Sequence, residues 1–304
     1  MFTPSSNFVE GVDFAFELIF GISLFFLVGI TSVMIYFTVK YSRKKHPNAV
    51  QIPNNNALEI TWTAIPLVIV LIMFYYGYMA FLPMRTPPKD AMIVKTIGRM
   101  WAWDFEYANG KHAQELIVPI NKPTKLEMTS KDVIHGMFIP AFRLKEDVIP
   151  GTQTFIWFIP KDTGSYELFC SAYCGLAHSS MATKVKVLSQ TDFDTWLAKE
   201  PEVKIGASEG LEVIKRNACT TCHSLDGSRL VGPSFKKLFD TKRIVITNEK
   251  EKEVTANEEY INTSILNPNA DIVKTYNKGI MQSYDGTLSK NDIKNIIEYL
   301  KSIK

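Results

Sequence analysis

Two long apolar stretches near the start, residues 14–39 and 60–82, constrain this chain more than anything else in it. Each exceeds roughly 20 residues, the length at which a helix crosses the hydrocarbon of a bilayer. The first is interrupted only by Glu17 and a few hydroxyls, and the second stops ahead of Pro83 and the Pro87-Pro88 pair. Lys40, Arg43, Lys44 and Lys45 crowd the short connection. Basic residues concentrate in cytoplasmic loops, so the sequence predicts a transmembrane hairpin with its loop inside and both termini outside. The alternative is a pair of buried helices in a soluble protein. No basic segment precedes the first stretch, so no signal peptide is expected. Neither stretch contains a histidine, so an intramembrane haem would have to belong to another subunit.

At 304 residues the chain is too long for one compact domain, and a net charge of +3 gives no case for binding nucleic acid. After the hairpin the pattern changes. Residues 92–97, 115–118, 125–128, 154–159 and 183–187 are short runs rich in β-branched and aromatic residues, separated by Gly, Pro and Asn. They predict the strands of a sandwich or barrel. Residues 98–107 carry an aromatic stripe in which Trp103, Phe105 and Tyr107 read as core. A short helix is expected at 192–199, then a linker opening at Glu200-Pro201-Glu202, then helical patterns alternating with polar loops. The expected division is a membrane hairpin over 1–90, a β domain over 91–200, and a linker with an α domain over 201–304.

The chemistry concentrates in residues 170–181, C-S-A-Y-C-G-L-A-H-S-S-M. Cys170, Cys174, His178 and Met181 follow one another at spacings of four, four and three. Soft sulfur beside imidazole selects copper, and hard cations do not recruit a thioether. Two cysteines on one loop can bridge two copper ions, and an electron shared across such a pair displaces little on transfer. A second imidazole is needed. His46 lies in a polar loop, His112 in an expected turn and His223 in another motif, which leaves His135. A disulfide, or zinc held with the two histidines, would account for the cysteines but not for Met181. His135 taken alone could be a packed core residue.

Cys219-Thr220-Thr221-Cys222-His223 is the attachment signature of a c-type haem. Two thiols add to the two vinyl groups, and the adjacent histidine then sits beneath the iron. A thioredoxin-like or zinc role would leave the directly following histidine unexplained. No histidine follows His223, and Met281 is the only methionine after Met181, so elimination points to Met281 as the second axial ligand. Methionine opposite histidine raises the haem potential, although a thioether can also simply fill a gap. Residues 288–303 predict an amphipathic helix, and 241–254 a charged, solvated hairpin.

These residues carry a family resemblance. The copper loop, with D-V-I-H upstream and F-R-L-K-E-D-V-I-P-G between, resembles the binuclear CuA domain of cytochrome c oxidase subunit II over residues 14–196. Residues 205–304 resemble a class I cytochrome c, and the whole order resembles subunit II of caa-type haem-copper oxidases. The resemblance implies a two-helix hairpin, an all-β cupredoxin-like Greek-key barrel and an all-α cytochrome domain. It implies that Cys170 and Cys174 bridge two coppers, that His135 and Met181 complete one, and that His178 with the backbone carbonyl of Ala172 completes the other. It implies one covalent haem c on Cys219 and Cys222, with His223 and Met281 as axial ligands. Trp101 matches the tryptophan where electrons enter. Glu59, three before Trp62, matches a glutamate at the mouth of a proton path, though it also reads as an ordinary helix-end carboxylate. The family's glutamate at the position of Ala172 helps bind magnesium at the interface with subunit I, and alanine removes that side chain.

The implied partners are subunit I, subunit III, membrane lipid and a donor such as a quinol-oxidising complex or soluble cytochrome c. The implied site is the bacterial cytoplasmic membrane, with the soluble domains on the periplasmic side. The implied activity is electron input to oxygen reduction, with catalysis in the partner subunit. A copper-containing nitric oxide reductase subunit and a membrane-tethered electron carrier remain as alternatives.

Overall fold

The computed structural model describes residues 5–48, 50–199 and 205–303. The expected linker at 200–202 lies outside them.

Helix α1 (Val9–Lys40) and helix α2 (Asn56–Phe81) form the hairpin, and both run beyond the apolar stretches that announced them. At the start of α1, Glu10 and Asp13 are polar but suit the positive end of a helix dipole. At the start of α2, the Asn55 side chain accepts a hydrogen bond from the Leu58 amide at 3.1 Å and caps the helix. Large apolar side chains stay exposed along both helices, the arrangement a lipid surround requires. Pro66 sits inside α2.

The strands of the middle region are β1 (Met92–Arg99), β2 (Ala102–Glu106), β3 (His112–Ala113), β4 (Leu116–Pro119), β5 (Thr124–Ser130), β6 (His135–Ile139), β7 (Leu144–Val148), β8 (Thr154–Phe158), β9 (Gly164–Cys170) and β10 (Ala182–Leu188). They make two five-stranded sheets, ordered β3-β2-β1-β5-β8 and β4-β10-β9-β6-β7. The pairs β1/β5 and β4/β10 are parallel and the rest antiparallel. Strand β5 shows why the sheets face each other: Thr124, Leu126, Met128 and Ser130 point inward and the residues between them outward. Trp103, Phe105, Phe142, Phe158 and Leu168 fill the space between. Tyr107 is buried with them, its hydroxyl donating to the Ile117 carbonyl at 2.9 Å. His112 falls in the short edge strand β3, not in a turn, and faces Asp104 at 2.8 Å. Helix α3 (Gln190–Ala198) closes the domain, tucking Phe193 into the core.

Several contacts tie this domain to the hairpin and its flanks. Arg143 grips both carboxylate oxygens of Asp13 at 2.6 and 3.1 Å. Trp157 donates to the Pro83 carbonyl at 3.1 Å, and the edge of Phe8 meets the Trp157 ring at 5.0 Å.

The C-terminal region comprises α4 (Ala207–Arg216), β11 (Lys242–Thr247), β12 (Lys250–Thr255), α5 (Glu258–Leu266), β13 (Ile272–Val273) and α6 (Lys290–Ser302). Helices α4 and α6 cross in direct backbone contact at Gly210, where a Cβ would stand 2.0 Å from the Asn295 carbonyl oxygen. Val213, Ile214, Ile261, Ile296 and Leu300 form the core beneath. The hairpin β11/β12 departs from expectation on one side. Val245 is fully buried, and Arg243 turns toward the interior cavity described below. Strand alternation explains this, because every second residue of β11 must face the domain.

Candidate copper and haem centres

The loop joining β9 to β10 is held at both ends. The Cys170 amide donates to the Met181 carbonyl at 3.0 Å, and the Ser171 amide donates to the Gly136 carbonyl at 2.8 Å. Gly136 allows a close approach here, because a Cβ would press on Ser171 Oγ and stand 3.0 Å from the Ala172 backbone nitrogen. Strand β6 starts at His135 and pairs with β9 through Met137 and Cys170, which brings the distant histidine beside the loop.

The result is a convergent set of soft donors. The Cys170 and Cys174 sulfurs are 3.7 Å apart, far beyond a disulfide bond of about 2.0 Å. His135 Nδ1 lies 3.8 Å from Cys170 Sγ, and His178 Nδ1 lies 3.4 Å from Cys174 Sγ. Met181 Sδ lies 3.8 Å from Cys174 Sγ, and the Ala172 carbonyl oxygen lies 3.2 Å from Cys170 Sγ. His135, Cys170, Cys174 and Met181 are buried. The imidazoles approach different sulfurs, His135 at Cys170 and His178 at Cys174, with the sulfur pair between them. That arrangement fits two copper ions better than one tetrahedral zinc.

Asp132, which the sequence reading passed over within D-V-I-H, organises the surroundings. One oxygen accepts from His135 Nε2 at 2.8 Å and from the Val133 amide at 2.7 Å, and the other accepts from the Met100 amide at 2.6 Å. Partial burial opposes its ionisation, but these bonds hold its carboxyl below the usual carboxylate range. Burial likewise opposes a charge on His135, and Asp132 reverses that, raising its pKa. Burial also penalises the Cys170 thiolate, yet hydrogen bonds from His135 and the neighbouring backbone bring that thiol down. Burial and the Cys170 charge push Cys174 up.

The second centre is a largely apolar cavity. Cys219, Cys222, His223 and Met281 all line it, so the four residues drawn from two separate motifs meet in one place. His223 Nδ1 donates to the Pro233 carbonyl at 2.7 Å, which fixes the ring and leaves Nε2 free as a ligand. Phe235 stacks on the imidazole at 4.6 Å, with the planes 7° apart. A Cβ on Gly232 would come within 2.6 Å of His223 Cε1, so Gly232-Pro233 forms a close-fitting wall. Burial pushes the Cys219 thiol up to about 11, the opposite of an activated redox cysteine. Apolar walls, paired thiols and a fixed imidazole fit a covalent haem.

Trp101 joins the two centres. Its indole nitrogen donates to the Cys174 carbonyl at 3.0 Å, and its ring lines the cavity that Cys219, Cys222 and His223 share. Trp103, by contrast, is core, its ring 6.0 Å from His135. Glu59 stands apart from both centres, exposed in the first turn of α2. Arg243 and Arg99 were not foreseen. Nothing in their sequence neighbourhoods marks them.

Comparison with known proteins agrees with this layout. Family models match residues 1–78 as the transmembrane domain of cytochrome c oxidase subunit II, 111–188 as its periplasmic domain, and 207–304 as cytochrome c. Cytochrome c oxidase subunit 2 of Alkalihalophilus pseudofirmus is 29% identical, over 95% of this chain and 86% of that protein. The subunit 2 of Bacillus sp. strain PS3 is 27% identical over 86% of this chain and 79% of that protein. The crystal structure of the periplasmic domain of subunit II from Bradyrhizobium japonicum is 32% identical, covering 37% of this chain and 94% of that one, with a TM-score of 0.35. This chain belongs to the cytochrome c oxidase subunit II family, as a member with a cytochrome c domain at its C-terminal end and thus a component of a haem-copper oxidase.

Proposed function

We propose that this chain is the electron-input subunit of a respiratory terminal oxidase, taking electrons at its own haem c and passing them through a binuclear copper centre to subunit I, where oxygen is reduced to water. The observation that carries this reading is the position of Trp101, bonded to the copper loop at Cys174 and lining the haem cavity. When bound, the haem iron and the copper pair each take up and release one electron.

The residues divide the work. Cys219 and Cys222 would hold haem c, and His223 and Met281 would supply the donors to its iron. Cys170 and Cys174 would hold a copper pair between them, with His135, Met181, His178 and the Ala172 carbonyl as the further donors around it. Pro233 and Asp132 orient His223 and His135, and apolar side chains make up most of the wall of the haem cavity. A rigid two-sheet frame keeps the donors in place in both oxidation states. The covalently tethered cytochrome replaces diffusional docking with an effective concentration on the order of millimolar.

The basic loop after α1 supports an orientation with both soluble domains on the periplasmic side of a bacterial cytoplasmic membrane. Glu59, at the opposite face, is assigned to the mouth of a proton path into subunit I. Subunit III completes the assembly, and a quinol-oxidising complex or a soluble cytochrome c supplies electrons. Ala172 offers a carbonyl but no carboxylate, so this chain contributes no side chain to an interface magnesium at that position. The same change keeps a nitric oxide reductase in view as the second reading. Purified intact complex supplied with reductant should consume oxygen. Rapid nitric oxide reduction with negligible oxygen uptake would contradict the oxidase reading.

A further inference from the structure

The tip of the β1–β2 hairpin, Arg99 to Trp101, meets three functional segments at once. Trp101 bonds the copper loop, and Gly175 of that loop lies against its indole. The Gln282 side chain, next to Met281, donates to the Met100 carbonyl. Arg99 Nη2 donates to Asn217 Oδ1 at 2.7 Å, two residues before Cys219. Both haem-bearing segments therefore touch the same tip.

Arg99 is an unusual occupant of this joint. It is 7% exposed, and among the described residues no carboxylate pairs with it. Its Nη1 is buried without a hydrogen-bond partner. The guanidinium carbon lies 5.8 Å from the Tyr284 ring centre, and the Tyr284 hydroxyl donates to the Asn217 carbonyl at 3.3 Å. Asn217 is itself buried, and its amide nitrogen donates to the Val213 carbonyl at 2.8 Å. Arg99 thus reaches from the copper domain into a preformed socket of the cytochrome domain. Burial lowers its pKa, which marks the cost of holding a cation there. A neutral side chain would fill the same space without that cost, and what the guanidinium adds is one charge-assisted bond from Nη2 to the Asn217 side chain beside the Tyr284 ring.

We propose that Arg99 is the positioning residue that docks the cytochrome domain on Trp101, so that the tethered haem and not a free-standing donor feeds the copper centre. This rests on the reading that the two cavities hold haem c and paired copper. Breaking the joint releases the cytochrome domain from the hairpin tip and uncovers Trp101 on the cytochrome side.

The test uses the full-length chain in its assembled complex, comparing wild type with Arg99→Gln, Arg99→Lys and Gln282→Ala. Haem and copper content are measured first. Wild-type complex lacking either group would overturn the proposed function and not this inference. The next readout is the enhancement of copper electron-spin relaxation by the oxidised haem, which reports their separation and is independent of turnover. Arg99→Gln should keep both groups, lose most of that enhancement, and slow copper reduction after flash reduction of the haem by about tenfold or more, as expected for one charge-assisted hydrogen bond lost. It should also oxidise added soluble cytochrome c faster than wild type. Arg99→Lys, which keeps the charge but not the fork, should fall between. If Arg99→Gln loses copper or haem, Gln282→Ala carries the comparison from the other side of the joint, with the same direction expected. Relaxation and transfer rates at wild-type values in both fully loaded variants would overturn the proposal.

Discussion

His135 Nε2 lies 2.8 Å from a carboxylate oxygen of Asp132, which leaves Nδ1 of the same ring facing Cys170. One carboxylate thereby decides which nitrogen is offered to metal, and its second oxygen holds the Met100 amide beside Trp101. The soft-donor cluster and the hairpin tip that carries Trp101 share a single orienting group.

Asp132→Asn tests that sharing. An amide can accept only through its oxygen, so it cannot serve His135 and the Met100 amide as the carboxylate does. Copper affinity should fall by about 10–100-fold, the usual cost of losing a group that orients a ligand. Copper titration by absorbance checks this, and haem content should be unchanged.

The two methionines should separate cleanly. Met181→Leu keeps the packing volume but removes a donor 3.8 Å from Cys174 Sγ, so the copper spectrum should shift while covalent haem is retained. Met281→Ala should do the reverse, keeping copper and covalent haem but lowering the haem midpoint potential. Redox titration with optical detection distinguishes the two cases.

Gly210→Ala should damage the cytochrome domain alone. The added methyl would run into the Asn295 backbone carbonyl of α6, with Tyr299 Cβ at 2.7 Å. Helices α4 and α6 must part, which should cost at least about 2 kcal/mol. Thermal melting followed in the haem band should shift down, with the copper band melting as before.

Ala172 gives a fourth expectation. Only its carbonyl faces Cys170, at 3.2 Å, so Ala172→Ser should leave the copper spectrum as it is. Chelators of divalent cations should not alter electron transfer into the copper centre.

Much of this architecture can be read before any coordinates. The convergent donors of residues 170–181 are legible because a preference for soft metals is written in residue types and the loop keeps them close in sequence. His135 needed one more step, elimination among five histidines, and β6/β9 pairing supplies the physical reason it belongs. Cys219, Cys222, His223 and Met281 were legible for the same reasons, and they line one cavity. Asp132 was not, because a carboxylate just before a strand looks like any turn residue. Helix ends were misjudged where apolar content stops but capping continues, as at Asn55. The Arg99–Asn217 contact spans 118 positions and joins two domains, and no local pattern encodes such a meeting. Arg243 was hidden by the charge of its hairpin, whose alternation turns one face inward.

The central claim is that two neighbouring electron sites lie outside the membrane in this chain, one built on a sulfur pair and one on a covalent haem. Electron paramagnetic resonance of the oxidised, purified full-length protein, with haem and copper quantified on the same sample, tests it most directly. The account predicts two coppers and one haem per chain, with hyperfine splitting from one electron shared equally over both copper nuclei. A single-copper signal, or no copper beside intact haem, would contradict it.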